Sequence, residues 1–354
     1  MGLSHIDSLA ITLLTDNYTD RLLPTLYPAN RPPLVRDEQF LPSPPPIAEH
    51  GFSSLIKATC IIDKNKEKAT TTTDTKKENI VLFDCGTSEN GVLHNADILR
   101  INLNSIQYIV LSHGHFDHFT GLMSIIKRLN KPMKMICHPD AFLKRWIVFP
   151  NGRDKARLPS LSSEKLRNQK VNLFLKKGPS LLLENQIIDY QGISADDEST
   201  SPVPKLLITG QIPRHTTFEK GFPLQYKEDP TNGNLTPDPL VNDDQAIVAN
   251  IRDKGLVIIS GCAHAGIINT VNYAKALTGV DKIFAIVGGF HLTGGGIYED
   301  AIEPTIKELK KIDPYYLVPC HCTGWKATNR IIQELPEKFL QPSICTTFTF
   351  DANN

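Results

Sequence analysis

Three histidines and an aspartate fall within six residues of this chain, in Ser112-His113-Gly114-His115-Phe116-Asp117-His118. Imidazole and carboxylate groups are donors for Zn, Fe or Mn. His113 and His115 stand two apart and can point the same way from an extended turn. Asp117 and His118 can then face a second ion. Gly114 permits a tight backbone between the two donor pairs. A buried histidine cluster without a metal would leave many polar atoms unpaired. A centre of two divalent ions, with zinc favoured and Mn or Fe admissible, is therefore expected here.

The surrounding elements must hold that turn. Residues 108–111 read as a buried strand leading into it, and 122–129 as the helix leaving it. Strands are expected at 6–14, up to 62 from His50, and at 80–83, the last closed by Asp84-Cys85-Gly86. Asp84 can brace the histidine turn or be a structural strand-end carboxylate. A hairpin is expected at 245–250 and 256–259, turning at Asp253-Lys254-Gly255. Helices follow at 266–277, 302–311 and 327–334, with strands at 282–287, 316–318 and 343–350. This order predicts a layered sheet core with helices outside. A Pro-rich arm at 24–46, a disordered hairpin loop at 63–79, an insertion or lid at 140–204 and a polar loop at 216–239 complete one 1–354 domain.

Across 354 residues, 38 Lys+Arg balance 38 Asp+Glu. That excludes nucleic-acid or membrane-surface binding through bulk basicity. No apolar run approaches the ~20 residues of a membrane span, and the first twenty positions do not read as a signal peptide. Position 6 is Ile6, against myristoylation at Gly2. The Cys residues, seven in all, are scattered through apolar segments, which fits reduced thiols in a cytoplasmic protein. The expected partner is a small-molecule substrate, without nucleic acid or membrane; oligomeric state is not legible.

The His-x-His-x-Asp-His turn after a strand, with Leu82-Phe83-Asp84-Cys85-Gly86 before it, resembles the metallo-β-lactamase superfamily. The resemblance implies an α/β (α+β) four-layer αββα sandwich with loop insertions, its metals at one edge between two sheets. It implies further ligands at later strand ends. Ser260-Gly261-Cys262-Ala263-His264-Ala265-Gly266 offers Cys262 or His264, and the frequency of imidazole ligation favours His264. Pro319-Cys320-His321-Cys322-Thr323-Gly324 sits where the superfamily's final histidine ligand lies, giving His321. If His321 points in, the strand period turns Cys320 and Cys322 away. His291, in Gly288-Gly289-Phe290-His291-Leu292, is implied as a proton donor beside the metals, or is a satisfied histidine. In Thr209-Gly210-Gln211-Ile212-Pro213-Arg214-His215, Arg214 can bind a substrate carboxylate or phosphate, and His215 reads as a loop residue.

Together with Glu49-His50-Gly51-Phe52-Ser53 and Asp243-Asp244-Gln245-Ala246, these motifs resemble one branch, the archaeal-type dihydropterin-methyl-ribofuranosylaminobenzene phosphate synthases. The leading expectation is a dinuclear hydrolase of a phosphoester, lactone or thioester. His113, His115 and His264 hold one ion in this reading; Asp117, His118 and His321 hold the other. Asp117 also orients the attacking water. The alternatives are the pterin-branch condensation releasing pyrophosphate, with Arg214 and Lys220 as phosphate contacts, and a non-enzymatic binding protein that retains its metals.

Overall fold

The computed structural model of the chain describes residues 3–36, 41–42, 44–62, 75–129, 131–190 and 204–353. One sheet has eight strands, in spatial order Val171–Leu175, Met133–Cys137, Tyr108–Val110, Thr75–Phe83, Ser53–Ile62, Ser8–Thr15, Thr347–Asp351 and Ala29–Asn30. The other has seven: Ile187–Asp189, Ser180–Leu182, Leu206–Ile208, Ala246–Ile251, Gly255–Ser260, Ile283–Gly289 and Tyr316–Cys320.

Alternate side chains of each strand enter different cores. Tyr108 and Val110 pack between the sheets with Ile247, Ile259, Val287 and Val318. Ile109, between them in sequence, packs outward against Val92, Ala96 and Ile125 of the helices Gly91–Ile98 and Leu122–Arg128. On the second sheet, Ile258, Ile286 and Leu317 pack outward against Val271, Ile306 and Ile331. Those three lie on the helices Ile267–Thr278, Ile302–Ile312 and Trp325–Glu334. Both faces of both sheets are covered, which is why the central strands are continuously apolar. The result is the expected αββα layering.

The sheet directions place the chemistry. Thr75–Phe83 and Tyr108–Val110 run parallel. Gly255–Ser260, Ile283–Gly289 and Tyr316–Cys320 also run parallel to one another. Parallel neighbours end at the same edge of their sheet. The segments carrying Asp84, the histidine turn, Cys262, His264, His291 and His321 all leave such ends.

Several segments between the expected elements carry structure of their own. The 140–204 stretch, expected as an insertion or lid with a short helix at 163–168 and strands near Val171 and Ile187, contributes to three sheets. Arg145–Val148 and Lys155–Arg157 join a small third sheet, Val171–Leu175 is an edge strand of the first sheet, and Ser180–Leu182 and Ile187–Asp189 belong to the second. Residues 191–203 lie outside the described residues. The 216–239 loop supplies Gln225–Glu228 and Leu235–Pro237 to that small sheet. Gln225–Glu228 and Leu235–Pro237 escaped sequence reading because they are short, polar and only half-buried, without a run of alternating apolar residues. Most of the 63–79 loop lies outside the described residues, but Thr75–Phe83 is a strand paired to Ser53–Ile62. The arm at 24–46, described in part, adds Ala29–Asn30 to the edge of the first sheet.

Candidate metal centre

Asp84 organises the turn. Its Oδ1 accepts from the Ser112 backbone N–H at 2.7 Å, and its Oδ2 accepts from Ser112 Oγ at 2.6 Å and His118 Nδ1 at 2.7 Å. All three residues are fully buried. Ser112 has one hydroxyl proton and gives it to Asp84. Its oxygen therefore accepts from His113 Nδ1, 2.9 Å away, and His113 keeps its lone pair on Nε2. The same logic leaves the lone pair of a neutral His118 on Nε2, which lies 3.1 Å from Cys262 Sγ.

His115 is oriented by the small sheet. Gln225 Nε2 donates to the Asp238 backbone oxygen and to Asp238 Oδ2, both at 3.1 Å. That fixes which way the amide faces. Gln225 Oε1 then accepts from His115 Nε2, leaving the Nδ1 lone pair free. Behind it, buried Arg145 is clamped on Asp243 through both terminal nitrogens, with its Nε 3.5 Å from Asp238 Oδ2. Asp243 Oδ2 also accepts from the Gly114 N–H at 2.7 Å. A Cβ on Gly114 would lie 2.3 Å from the Ala141 backbone oxygen. Close approach, rather than an unusual φ, is what demands glycine there. Gln245 Nε2 donates to the Leu111 oxygen at 2.8 Å, so the Asp243-Asp244-Gln245 motif is a clamp on the histidine turn.

The donors converge in overlapping sets, their ligand atoms within 4.8 Å of one another. These are His113, His115 and His264; His113, His118 and Cys262; Cys262, His264 and His291; Cys262, His321 and Cys322; and His50, Asp117 and His321. The first is the set expected for one ion. Beside it, Asp117 Oδ2 lies 3.2 Å from His321 Nε2, 3.7 Å from His118 Nε2 and 3.6 Å from His50 Nε2. His50 thus joins Asp117 and the two histidines expected with it, and His118 also converges with His113 and Cys262. His50 carried no assignment from sequence; its position beside a strand end, in a motif used only for resemblance, was the available signal. Cys262, expected as the less favoured alternative to His264, has its sulfur among the donors alongside His264.

Cys322 also departs from expectation. Strand alternation holds only to Cys320, whose Sγ is 3.3 Å from the Val318 oxygen and which packs between the sheets. His321 has φ +48° and opens a short 3-10 turn, His321–Thr323. The turn swings Cys322 into the site, 3.4 Å from the Cys262 carbonyl oxygen. Asp84, Ala263 and His291 share positive φ values of 60°, 57° and 47°. Non-glycine residues reach that region at a cost, and it commonly marks functional sites.

Arg214 is half-buried beside the His264 loop. Its Nη1 donates to the His264 backbone oxygen at 2.5 Å. His215 is exposed and gives its N–H to Asn269 Oδ1, away from the donors. Lys220, His264, His291, Phe290 and Tyr298 line one cleft beside the centre.

Burial, reinforced by neighbouring histidines, pushes His113 and His264 well below the usual imidazole range. Burial, followed by the Arg145 charge, lowers His115 to about 4. All three are neutral near pH 7, with lone pairs to give. For Asp117, burial is outweighed by His118 and His321, and the carboxyl is held well below its usual range. For His118, burial is outweighed by Asp84 and then Asp117, raising it to about 9.

A divalent ion suits these residues on the structure's own terms. Nε2 of His113 and Nε2 of His264 face each other at 3.2 Å. That is close to the ~3.3 Å edge of a tetrahedron with N–metal bonds of ~2.0 Å. His264 Nδ1 and His321 Nδ1 are buried without hydrogen-bond partners. Neutral imidazoles, a carboxylate and thiols are donors for first-row ions.

A family model described as a beta-lactamase superfamily domain matches residues 79–169, which include Asp84 and the whole histidine turn. A solved structure, Tm1679, described as a metal-dependent hydrolase of the beta-lactamase superfamily, superposes with a TM-score of 0.63 at 21% identity, covering 97% of this chain and 99% of that one. This is a metallo-β-lactamase fold. The chain is also similar to a 7,8-dihydropterin-6-methyl-4-(beta-D-ribofuranosyl)-aminobenzene-5'-phosphate synthase of Methanocaldococcus jannaschii. The two are 29% identical over 299 residues, 82% of this chain and 87% of the relative. An uncharacterised protein of the same organism is 29% identical over 296 residues, 81% of this chain and 88% of its own length. Among the described residues, no helix is long and apolar enough to cross a membrane. All seven cysteines are buried and unpaired.

Proposed function

We propose that this chain is a metal-dependent hydrolase acting on a small-molecule phosphoester, lactone or thioester. The observation that carries this reading is the convergence of His113, His115 and His264 beside Asp117 and His321, their pairings leaving lone pairs directed into one space. His113, His115 and His264 would hold one divalent ion; Asp117, His118 and His321, with His50 or Cys262 beside them, would hold a second. Ions bound there supply Lewis acidity, stabilising an anionic transition state and making water acidic enough to ionise near neutral pH.

The chain's own groups do the rest. Asp117, ionised at neutral pH, offers its carboxylate oxygens to orient a water molecule. Asp84 and Gln225 keep the imidazoles from rotating. His291 lines the cleft with its ring centroid 4.1 Å from that of His264, close enough to the centre to donate a proton to a leaving group. Burial pushes the Tyr298 hydroxyl up to about 12, so it stays protonated and can donate a hydrogen bond to substrate. Lys220 at the rim suits an anionic substituent.

The test is hydrolysis of a panel of phosphoesters, lactones and thioesters by metal-reconstituted protein. Turnover that rises with metal content and falls at least ~100-fold in His118→Ala supports the reading. Full activity in His118→Ala would end it. A second reading, condensation with release of pyrophosphate, is favoured by the similarity to the synthase over most of both chains. It predicts pyrophosphate release from a pterin diphosphate and a phosphorylated aminobenzene, with no turnover on the ester panel.

A further inference from the structure

We propose that Cys322 is a sulfur ligand of this centre, so that with Cys262 the site presents two sulfurs to metal. The proposal rests on the metal-dependent reading above and goes beyond it, since that reading holds the first ion by imidazoles alone and asks for no sulfur from Cys322. The Cys320-His321-Cys322 spacing suggests that both thiols share a face opposite His321. The backbone breaks that pattern at His321, and the two cysteines part company. Cys320 stays in the inter-sheet core, while Cys322 turns into the site.

Three observations bear on Cys322. Its sulfur, the sulfur of Cys262 and a ring nitrogen of His321 lie within 4.8 Å of one another. One tetrahedral ion with metal–sulfur bonds of ~2.3 Å sets its sulfurs ~3.8 Å apart and sulfur from nitrogen ~3.6 Å, so this set needs only small adjustments to share an ion. Room has been made for the sulfur: a Cβ on Gly289 would lie 2.7 Å from Cys322 Sγ. The turn is also held from behind, with the Leu292 N–H donating to the Cys322 oxygen at 3.1 Å and the Phe290 N–H to Thr323 Oγ1 at 3.1 Å. Cys322 and Cys262 are 5% and 3% exposed, so neither thiol is placed for solvent chemistry. Two sulfurs shift preference toward Zn and Fe and away from Mg, Ca and Mn.

The experiment is cobalt substitution. Metal-free protein reconstituted with Co(II) is expected to show near-ultraviolet sulfur-to-cobalt charge transfer. Cys322→Ser and Cys262→Ser should each reduce that band about twofold per bound cobalt, while Cys320→Ser leaves it unchanged. An undiminished band in Cys322→Ser overturns the proposal. Should Cys322→Ser fail to fold, zinc X-ray absorption on the wild-type protein decides: two sulfurs per chain at ~2.3 Å support it, and fewer overturn it. An undiminished band with intact metal-dependent hydrolysis would remove only this inference; a sulfur-ligated protein inert toward the ester panel would remove only the hydrolase reading.

Discussion

The side-chain carbonyl of Gln225 accepts a hydrogen bond from Nε2 of His115, and so decides which nitrogen of that ring faces the other imidazoles. The constraint originates in Asp238, which takes both amide protons of Gln225. Replacing Gln225 by Leu frees the ring to flip. We expect metal affinity to fall about 10- to 100-fold, the usual consequence of losing a group that orients a ligand. Titration against a competing chelator measures it. Unchanged affinity would show that His115 is held by something else.

Asp84 is the acceptor for three buried donors: the Ser112 N–H, the Ser112 hydroxyl and His118 Nδ1. Asp84→Ala strands all of them away from water. A loss of about 3–5 kcal/mol is expected, read from urea unfolding, because breaking a buried charged network exposes the remaining partners to the full desolvation cost. A loss under about 1 kcal/mol would mean that solvent or a neighbour takes over.

Asp243 should behave similarly for a different reason. Asp243→Ala leaves the Arg145 guanidinium buried with only Asp238 nearby and removes the acceptor of the Gly114 N–H. About 3–5 kcal/mol of stability should go. Adding Arg145→Met should recover part of that loss, since it removes the uncompensated charge. No recovery in the double variant would contradict the assignment.

His115 sets a pH dependence in the metal-free protein. Its pKa falls from 6.5 in the unfolded chain to about 4 in the fold, chiefly through burial. Between those values the unfolded state binds more protons, so this residue's contribution weakens the fold as pH drops from 6.5 to 4. The difference in unfolding free energy between wild type and His115→Gln should therefore shrink by about 3 kcal/mol across that window. A difference that stays constant with pH would show that His115 is not desolvated as described.

Much of this was legible in the sequence. The apolar strands and amphipathic helices announce the layers, because burial on both sides leaves continuous hydrophobic runs. The histidine turn is legible because metal-ligand residue types at that spacing have few other uses. What escaped notice depends on backbone geometry or distant partners. Cys322 was expected to follow strand alternation, but a left-handed conformation at His321 ended the strand one residue earlier. Gln225 lies in a short polar strand with no periodic signal, 110 positions from the histidine it orients. His50 stands beside Asp117 only because the Ser53–Ile62 strand pairs with Thr75–Phe83, which leads to Asp84. Arg214 was expected as an anion-binding group; its hydrogen bond to the backbone of the His264 loop was not legible.

The central claim is that the converging donors hold metal. Metal content of the purified and reconstituted protein, measured by plasma mass spectrometry against a His113→Ala/His118→Ala variant, tests it most directly. About two first-row divalent ions per wild-type chain are expected, with most of that metal lost in the variant. No bound metal after reconstitution, or the same content in both proteins, would contradict it.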